Sequence, residues 1–205
     1  MKPLRTVILA KAPQPGLAKT RLIPALGASG AAQLAQRMLQ HTVQQALSAG
    51  LGPVELCRTP PEAAAWARIV LPPALCLSDQ GEGDLGARMD RVAARTIGAG
   101  ESLLLVGTDC PALNANRLRE IGASLHHVDA VMVPATDGGY VALGLKRYDP
   151  GLFSDIVWST ASVGETQAAR ITGLDWSLTL LPALHDIDEP ADLQHLPSGW
   201  VRPRV

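Results

Sequence analysis

Aromatic side chains are scarce in this sequence: Phe, Trp and Tyr together make up 3% of its 205 residues. The hydrophobic fraction still reaches 47%, so the core is expected to consist mainly of Ala, Leu, Val and Ile. This hydrophobic content argues against an intrinsically disordered chain. A chain of this length buries roughly 70% of its unfolded surface, which is enough for a substantial core. We expect a single domain that spans residues 1–205.

Long hydrophobic runs are missing as well. The first apolar run covers only residues 6–10, whereas a signal peptide needs a longer apolar stretch and a small-residue cleavage site. Nowhere does the sequence approach the ~20 apolar residues that span a bilayer. The sequence therefore predicts a cytoplasmic protein that has no membrane partner.

The cysteine content and the net charge are both low, and each argues against certain classes of site or partner. Cys57, Cys76 and Cys110 are odd in number and lack CxxC spacing, which argues against a disulfide framework or a cysteine-based zinc site. We expect three reduced thiols, two of them on buried strands. A net charge of −1 gives no electrostatic reason to expect nucleic acid as a partner. A small-molecule ligand is favoured instead.

Alternating strands and helices are the main pattern that is present. Apolar runs bounded by breaking or polar residues predict strands at 6–10, 53–57, 75–77, 102–107, 129–134, 139–145 and 177–181. Helices are predicted at 29–48, 85–97, 164–172 and 191–196, and from a cap at Asn114 to residue 125. This alternation indicates a parallel sheet covered by helices. Ligands of such folds bind outside the carboxyl ends of the strands.

The loop after the first strand concentrates positive charge beside a glycine. Lys11, Lys19 and Arg21 fall within eleven residues, and Gly16 lies between them. Cations and backbone amides near a flexible glycine suit a pyrophosphate. The spacing matches neither the Walker A pattern nor the GxGxxG fingerprint. The alternative is a solvated surface loop with ordinary charges.

Asp109 directly follows the most apolar predicted strand, in the stretch GTDCP. A carboxylate at the carboxyl end of a buried central strand is costly to leave uncompensated. A divalent cation would remove that cost, because Mg²⁺ takes one or two carboxylates together with substrate phosphates. The alternative is that Asp109 caps the next helix, although Asn114 lies closer to that helix. We therefore predict that Asp109 is a metal ligand.

A second carboxylate is expected from the stretch HDIDEP near the C-terminus. In an extended segment Asp186 and Asp188 lie on one side and Ile187 points away. Either aspartate is a candidate for the second metal ligand. Asp188 has an equal alternative as the cap of the helix at 191–196, with Pro190 in its first turn.

Two further loops hold candidate residues. Asp84 begins the helix at 85–97, so it is either a cap or a residue near a base or ribose. Asp137 precedes the pair Gly138–Gly139, a combination common in hairpin turns. The same pair would let an acceptor approach the backbone, with Asp137 as a general base. Trp158 is interpreted either as a core residue or as part of the acceptor side.

Five segments, in this order, match a known family: KAPQPGLAKTRL, GDLGARM, LLLVGTDCPAL, VPATDGGYVALGL and DIDEPADL. The sequence resembles the GT-A-type glycosyltransferase-like proteins that are described as arsenosugar-biosynthesis glycosyltransferases. That family is similar in fold to the nucleotidyltransferases that make molybdenum guanine dinucleotide and lactyl-phospho-guanosine. The segments extend from Lys11 to Leu193, which is nearly the whole chain.

This resemblance implies an α/β fold of three layers (α/β/α), with a mixed, mainly parallel sheet of the GT-A or nucleotide-diphospho-sugar transferase type. It implies that nucleotide phosphates are held by Lys11, Gly16, Lys19 and Arg21, with Asp84 near the nucleoside. Asp109 would hold Mg²⁺ or Mn²⁺. The acceptor side would be lined by Asp137, Gly138, Gly139 and Tyr140. Because GTDCP has one acid where many glycosyltransferases have two, Asp186 or Asp188 is needed to complete the metal site.

The expected function is a metal-dependent transfer from a nucleotide-activated donor. A glycosyltransferase would join a nucleotide sugar to a small-molecule acceptor, whereas a nucleotidyltransferase would use a nucleoside triphosphate and release pyrophosphate. Both reactions need cations and a metal to stabilise the charge of the leaving group, so Lys19 and Arg21 are also candidates for catalysis. A non-catalytic nucleotide-binding module is the third possibility.

Overall fold

The computed structural model describes residues 2–200, and a seven-stranded sheet forms its centre. The strands are β1 (Leu4–Lys11), β2 (Val54–Thr59), β3 (Cys76–Asp79), β4 (Ser102–Val106), β5 (Ala130–Pro134), β6 (Tyr140–Leu145) and β7 (Leu178–Leu180). The α-helices are α1 (Ile23–Ala49), α2 (Leu85–Gly98), α3 (Ala115–Leu125) and α4 (Val163–Gly173). Short 3-10 helices cover Thr20–Leu22, Trp66–Arg68, Pro150–Leu152 and Pro190–His195. Within residues 2–200 no helix is long and apolar enough to cross a bilayer.

The sheet is mixed, with the strand order β3-β2-β1-β4-β6-β5-β7. Only β6 is antiparallel to its neighbours β4 and β5, and the other paired strands of the described chain are parallel. The carboxyl ends of β1 to β5 and the amino end of β6 therefore meet at one edge. This arrangement confirms the predicted mixed, mainly parallel sheet.

Aliphatic side chains fill the space between the sheet and the helices, as the low aromatic content predicts. On one face Leu39 of α1, Ile121 of α3 and Ile8 of β1 belong to one cluster of buried residues. On the other face Val92 of α2 and Ile171 of α4 belong to a second cluster. A fully buried side chain of this kind contributes about 1.5–3 kcal/mol through burial. The two clusters hold the helices over both faces of the sheet.

Helix α1 starts at Ile23, six residues before the predicted start at residue 29. Gly27 interrupts the helical geometry with φ of 70°, so two helical segments are joined across a kink. The first segment belongs to a third cluster, in which Leu22 and Leu26 pack with Leu34 and Ile187. This cluster attaches the C-terminal segment to the first loop of the chain.

Three local predictions have mixed outcomes. Asn114 caps α3 through its side-chain oxygen, as predicted. The segment after Asp188 is a 3-10 helix, and Glu189 rather than Asp188 is its N-cap residue, so the interpretation of Asp188 as the cap is wrong. Cys76 was expected to be buried, but β3 is the edge strand of the sheet and leaves this thiol exposed. Cys57 and Cys110 are buried.

Candidate active site

A cleft of about 900 Å³ opens at the edge where the strand carboxyl ends meet. Its volume is in the range of small-molecule pockets. Polar and charged side chains line it from strand ends and the segments that follow them, from α2, from the segment before α4 and from the C-terminal segment. They are Lys11, Lys19, Thr20, Arg21, Thr59, Gln80, Arg88, Thr108, Asp109, Asp137, Tyr140, Ser159, Thr160 and Asp188. The cleft therefore lies where the strand-end rule places it.

Lys19 is at the centre of the charged part of this cleft. Its backbone adopts a left-handed conformation, with φ of 48° and ψ of 49°, just before the 3-10 turn at Thr20–Leu22. Its Nζ donates to the carbonyl of Ile187 at 2.6 Å and to Asp188 Oδ1 at 2.7 Å. Asp109 Oδ1 is 2.9 Å from the same nitrogen. Only 9% of the Lys19 side chain is exposed, so one buried ammonium joins two carboxylates.

The two carboxylates are less buried than the sequence suggested. Asp109 is 46% exposed and Asp188 is 42% exposed, so solvent reaches both of them. Their charge is compensated by Lys19 rather than left alone in a dry cleft. Burial disfavours the charged form of Lys19, but the carboxylates of Asp109 and Asp188 outweigh it and raise its pKa above the ordinary value. The lysine is therefore a permanent cation at neutral pH.

Asp188, rather than Asp186, is the aspartate that the structure brings to Asp109. Ile187 is 1% exposed and points into the third cluster, so its two neighbours face away from it. Asp186 lies outside the cleft lining. Burial raises the pKa of Asp186, and the nearby charges of Asp137 and Asp188 raise it further. Asp186 therefore sits in an acidic environment beside the cleft.

The remaining residues of the first loop have separate positions. Arg21 is 61% exposed, and its Nη1 lies 3.7 Å from Asp188 Oδ2 and 3.9 Å from Glu189 Oε1. Lys11 lines the cleft from the end of β1. Gly16 lies outside the lining and has φ of 80°, a conformation that favours glycine at this turn. The three cations face the cleft, but the glycine does not.

Sequence reasoning missed Arg88, Thr59 and the specific role of Gln80. The Gln80 side chain is buried, and its Nε2 donates to the carbonyls of Ala10 and Cys57 at 3.1 and 2.9 Å. Arg88 Nε donates to Gly83 O at 3.0 Å, and its Nη1 makes long contacts with Thr59 Oγ1 and Gln80 Oε1. All of these contacts of Arg88 are to neutral oxygens. The sequence could have pointed to Arg88, because it belongs to the family segment GDLGARM and lies one helical turn after Asp84.

Asp84 is the N-cap of α2 and lies outside the cleft lining. Its side chain accepts a hydrogen bond from the backbone N–H of Ala87 at 2.9 Å. An N-cap of this kind stabilises a helix by about 1 kcal/mol. The structure thus places Asp84 where it holds the start of the helix that carries Arg88.

The hairpin between β5 and β6 forms the opposite wall of the cleft. Asp137 Oδ1 accepts a hydrogen bond from the backbone N–H of Gly139 at 2.8 Å, which fixes the turn. Asp137, Gly139 and Tyr140 line the cleft. Gly138 lies outside the lining with φ of 95°, and a Cβ there would clash with the carbonyl of Ala161. The turn interpretation of this segment is thus correct, and its acidic side chain faces the cleft.

Tyr140 and Trp158 make this wall partly aromatic. The Tyr140 hydroxyl lies 3.5 Å from Met89 Sδ and 3.4 Å from Gln167 Oε1, and burial raises its pKa well above the ordinary value. Trp158 packs against the second cluster and also lines the cleft. A Cβ on Gly86 would meet its indole nitrogen, so this glycine allows the close contact. Trp158 is therefore both a packing residue and part of the wall.

Asp109 and Asp188 fit one particular kind of metal site. Carboxylate oxygens are the ligands that Mg²⁺ and Mn²⁺ prefer, and both side chains are accessible. Within residues 2–200 no three His, Cys, Asp or Glu side chains converge into a ready-made metal centre. The pair therefore fits a Mg²⁺-type ion that takes its other ligands from water and substrate phosphates. It does not fit an ion enclosed entirely by protein.

The sheet order and the position of the cleft define an α/β fold of the nucleotide-diphospho-sugar transferase type. The chain belongs to the family described as "Uncharacterized protein conserved in bacteria (DUF2064)", which matches residues 42–160. A comparison with curated proteins found no match.

Solved structures show the same fold. A proposed nucleotide-diphospho-sugar transferase from Desulfovibrio desulfuricans G20 has a TM-score of 0.86 and 26% identity, covering 99% of this chain and 92% of that one. The 4-diphosphocytidyl-2C-methyl-D-erythritol synthase of Anaerococcus prevotii DSM 20548 has a TM-score of 0.64 and 12% identity, covering 95% and 94%. Rv0371c of Mycobacterium tuberculosis H37Rv, solved in complex with manganese, has a TM-score of 0.57 and 17% identity, covering 96% and 98%. The resemblance to GT-A-type transferases is confirmed.

Proposed function

We propose that this protein is a metal-dependent glycosyltransferase that moves a sugar from a nucleotide-activated donor to a small-molecule acceptor. The observation that carries the proposal is the pair Asp109–Asp188, joined by Lys19 at the edge of the cleft. The likeness to a proposed nucleotide-diphospho-sugar transferase supports a donor of this class. The proposal extends the coarser assignment, a transferase that uses nucleotides, which the similar structures with a named activity support.

The donor phosphates would lie between Lys11, Arg21 and Arg88. All three side chains line the cleft. Arg88 contacts only neutral oxygens among the described residues, and Arg21 is largely exposed. Arg88 can thus give its charge to a diphosphate, and Arg21 would share its charge between the diphosphate and Asp188. Each charge-assisted hydrogen bond contributes roughly 1.5–3 kcal/mol.

Asp109 and Asp188 would hold a Mg²⁺ or Mn²⁺ ion. When bound, such an ion stabilises the negative charge that grows on a departing phosphate. The two aspartates approach it from different parts of the chain, since one follows β4 and the other precedes the 3-10 helix at Pro190–His195. Asp186 would act on the pair through its charge.

Asp137 would accept the proton of the acceptor. Its Oδ1 is held by Gly139, so the carboxylate keeps a fixed direction at the cleft wall. The acceptor hydroxyl oxygen would bond to the anomeric carbon while the bond from that carbon to the phosphate oxygen breaks. The nucleoside diphosphate leaves with the electron pair, and the hydroxyl proton passes to Asp137. Tyr140 and Trp158 would bound the space for the acceptor.

A nucleotidyltransferase is the second candidate. The fold that this protein shares with a 4-diphosphocytidyl-2C-methyl-D-erythritol synthase and with a nucleotidyl transferase supports this candidate. The same cations would then hold a triphosphate, and an acceptor phosphate would attack the α-phosphorus and release pyrophosphate. A non-catalytic nucleotide-binding module is the third candidate. It would use the same contacts without turnover.

The test is an incubation with a panel of nucleotide sugars and nucleoside triphosphates, with Mg²⁺, Mn²⁺ or chelator. Binding is followed by thermal shift, because a ligand at 100 times its dissociation constant stabilises the fold by about 2.7 kcal/mol. Release of nucleoside diphosphate and release of pyrophosphate are measured separately. Metal-dependent release of the diphosphate from one nucleotide sugar, with transfer of the sugar to a small-molecule acceptor, supports glycosyl transfer. Pyrophosphate release supports the second candidate, and binding alone supports the third.

A further inference from the structure

Lys19 occupies the position between the two carboxylates that a divalent cation would need. Its Nζ is 2.7 Å from Asp188 Oδ1 and 2.9 Å from Asp109 Oδ1, and its third contact is the carbonyl of Ile187. Each of these distances is that of a charge-assisted hydrogen bond. The lysine therefore neutralises the pair as a built-in cation.

We infer that Lys19 is the resident counter-ion of the Asp109–Asp188 pair and competes with the divalent metal for it. This inference rests on the proposed metal site. In the absence of nucleotide, the metal must displace an ammonium that is 9% exposed and bonded to both aspartates. Two positive charges at one pair of carboxylates repel each other, and the water that reaches these partly exposed carboxylates screens the repulsion only in part. The free protein is thus expected to bind Mg²⁺ or Mn²⁺ weakly.

The lysine can be drawn away from the pair because it is a point charge on a flexible stem. Four methylene groups with rotatable bonds separate Nζ from the backbone. The left-handed turn at Lys19 directs this side chain into a cleft that Arg21 also lines. A donor phosphate gives the ammonium another anionic partner. Metal and nucleotide binding would then be coupled. Each ligand favours the state in which the Lys19 ammonium has left the two aspartates, so each would raise the affinity for the other.

The coupling gives Lys19 a role other than a simple phosphate contact. A lysine that only contacted phosphate would have no effect on metal affinity in the free protein. A resident counter-ion lowers that affinity. The two roles therefore predict opposite results for a variant that lacks the charge, when Mn²⁺ is the only ligand.

The experiment measures Mn²⁺ affinity without nucleotide, by the electron paramagnetic resonance signal of free Mn²⁺. Lys19→Gln is compared with wild type and with Lys11→Gln, a matched charge removal in the same cleft. Lys11 is a suitable control because the ion pairs of Asp109 and Asp188 within residues 2–200 are formed with Lys19 and Arg21. We expect Lys19→Gln to bind Mn²⁺ about tenfold more tightly than wild type, and Lys11→Gln to differ from wild type by about twofold or less.

Lys19→Arg retains the positive charge and is expected to keep the weak affinity of wild type. Mn²⁺ should also raise the unfolding temperature of Lys19→Gln more than that of wild type, which shows that the variant is folded. Equal Mn²⁺ affinity in wild type and Lys19→Gln would overturn the counter-ion role and leave the metal site intact. If neither wild type nor Lys19→Gln binds Mn²⁺, the metal site itself is overturned. It is also overturned if the double variant Lys19→Gln/Asp109→Asn binds Mn²⁺ as tightly as Lys19→Gln does. Nucleotide binding by wild type, measured separately with chelator, would still test the donor site.

Discussion

The backbone N–H of Ile187 donates a hydrogen bond to the carbonyl of Asp109 at 2.8 Å. This bond joins the loop after the central strand β4 to the C-terminal segment. Because it lies between Asp186 and Asp188, it sets which of these two side chains faces the cleft. The second candidate ligand is thus selected by a main-chain contact and by the burial of Ile187.

The first prediction separates Asp188 from Asp186. Asp188→Asn should weaken metal-dependent nucleotide binding about tenfold or more, since it removes the charge of a proposed metal ligand, which would be worth ~1.5–3 kcal/mol. Asp186→Asn should weaken it less than about threefold, because Asp186 lies outside the cleft lining. Titration calorimetry with the best nucleotide and Mn²⁺ measures both. Similar losses in the two variants would show that both aspartates bind the metal. Asp109→Asn, with its fold intact, should abolish the metal-dependent binding.

Arg88 gives the second prediction, since sequence reasoning did not single it out. Arg88→Met should reduce donor affinity about tenfold, because it removes a cation that faces the cleft while keeping an unbranched side chain in its place. Arg117→Met is the matched control, since Arg117 pairs with Glu120 on the exposed surface of α3. Unchanged donor affinity in Arg88→Met would mean that only Lys11 and Arg21, of these three cations, contact the donor phosphates.

Glu55 makes folding stability depend on acid pH. It is buried on β2 between Arg95 and Arg5. Burial alone would raise the pKa of Glu55, but hydrogen bonds from Arg95 and Ser78 outweigh it and lower the pKa below its ordinary value. The stabilisation is therefore complete above the unfolded pKa and is lost as the pH falls through the lowered folded pKa.

Urea unfolding between pH 3 and pH 7 measures this loss for wild type and for Glu55→Gln. The stability of Glu55→Gln should be lower at pH 7, by about 3 kcal/mol or more, because breaking a buried ion pair leaves charges uncompensated. Its stability should also fall less steeply with acid than that of wild type. Parallel pH profiles for the two proteins would contradict the lowered pKa.

Gly138 supplies a prediction about the cleft wall. Gly138→Ala should destabilise the fold by about 3 kcal/mol, because φ is 95° and the added Cβ would clash with Ala161. Gly100→Ala is the matched control, since φ is 85° there and the added Cβ would meet open space. It should cost only about 1 kcal/mol. Thermal unfolding measures the loss of stability in both variants. Equal losses would mean that backbone strain alone, without the clash at Ala161, accounts for the effect.

The sequence predicted most strands well because they are short apolar runs bounded by breaking residues, whereas the exposed edge strand β3 extends two residues beyond its predicted end. Ser102–Val106 and Tyr140–Leu145 were each found within one residue of the predicted bounds. The helix cap at Asn114, and that at Asp84 as one of two alternatives, were also readable, because a cap depends on residues two or three positions away. These features are local, so local patterns were sufficient.

The contacts that build the site are not local. Lys19 and Asp188 are 169 positions apart, and no periodicity relates them. The sequence named both residues but assigned Lys19 to phosphate and left the choice between Asp186 and Asp188 open. The choice depends on the burial of Ile187 against Leu22 and Leu34, which only the folded packing reveals. The early start of α1 was missed because Gly27 breaks its pattern.

The packing of Ile187 into the third cluster has a consequence for how the protein matures. Lys19 and Ile187 are 168 positions apart, so the charged part of the cleft depends on a contact between residues that are far apart in the sequence. Contacts of such high sequence separation form slowly, and chains emerge from the ribosome N-terminus first. The strands β1 to β6 can assemble during synthesis, whereas the Asp109–Asp188 pair forms only after the C-terminal segment has been made. A nascent chain thus acquires its shape before it acquires a complete site.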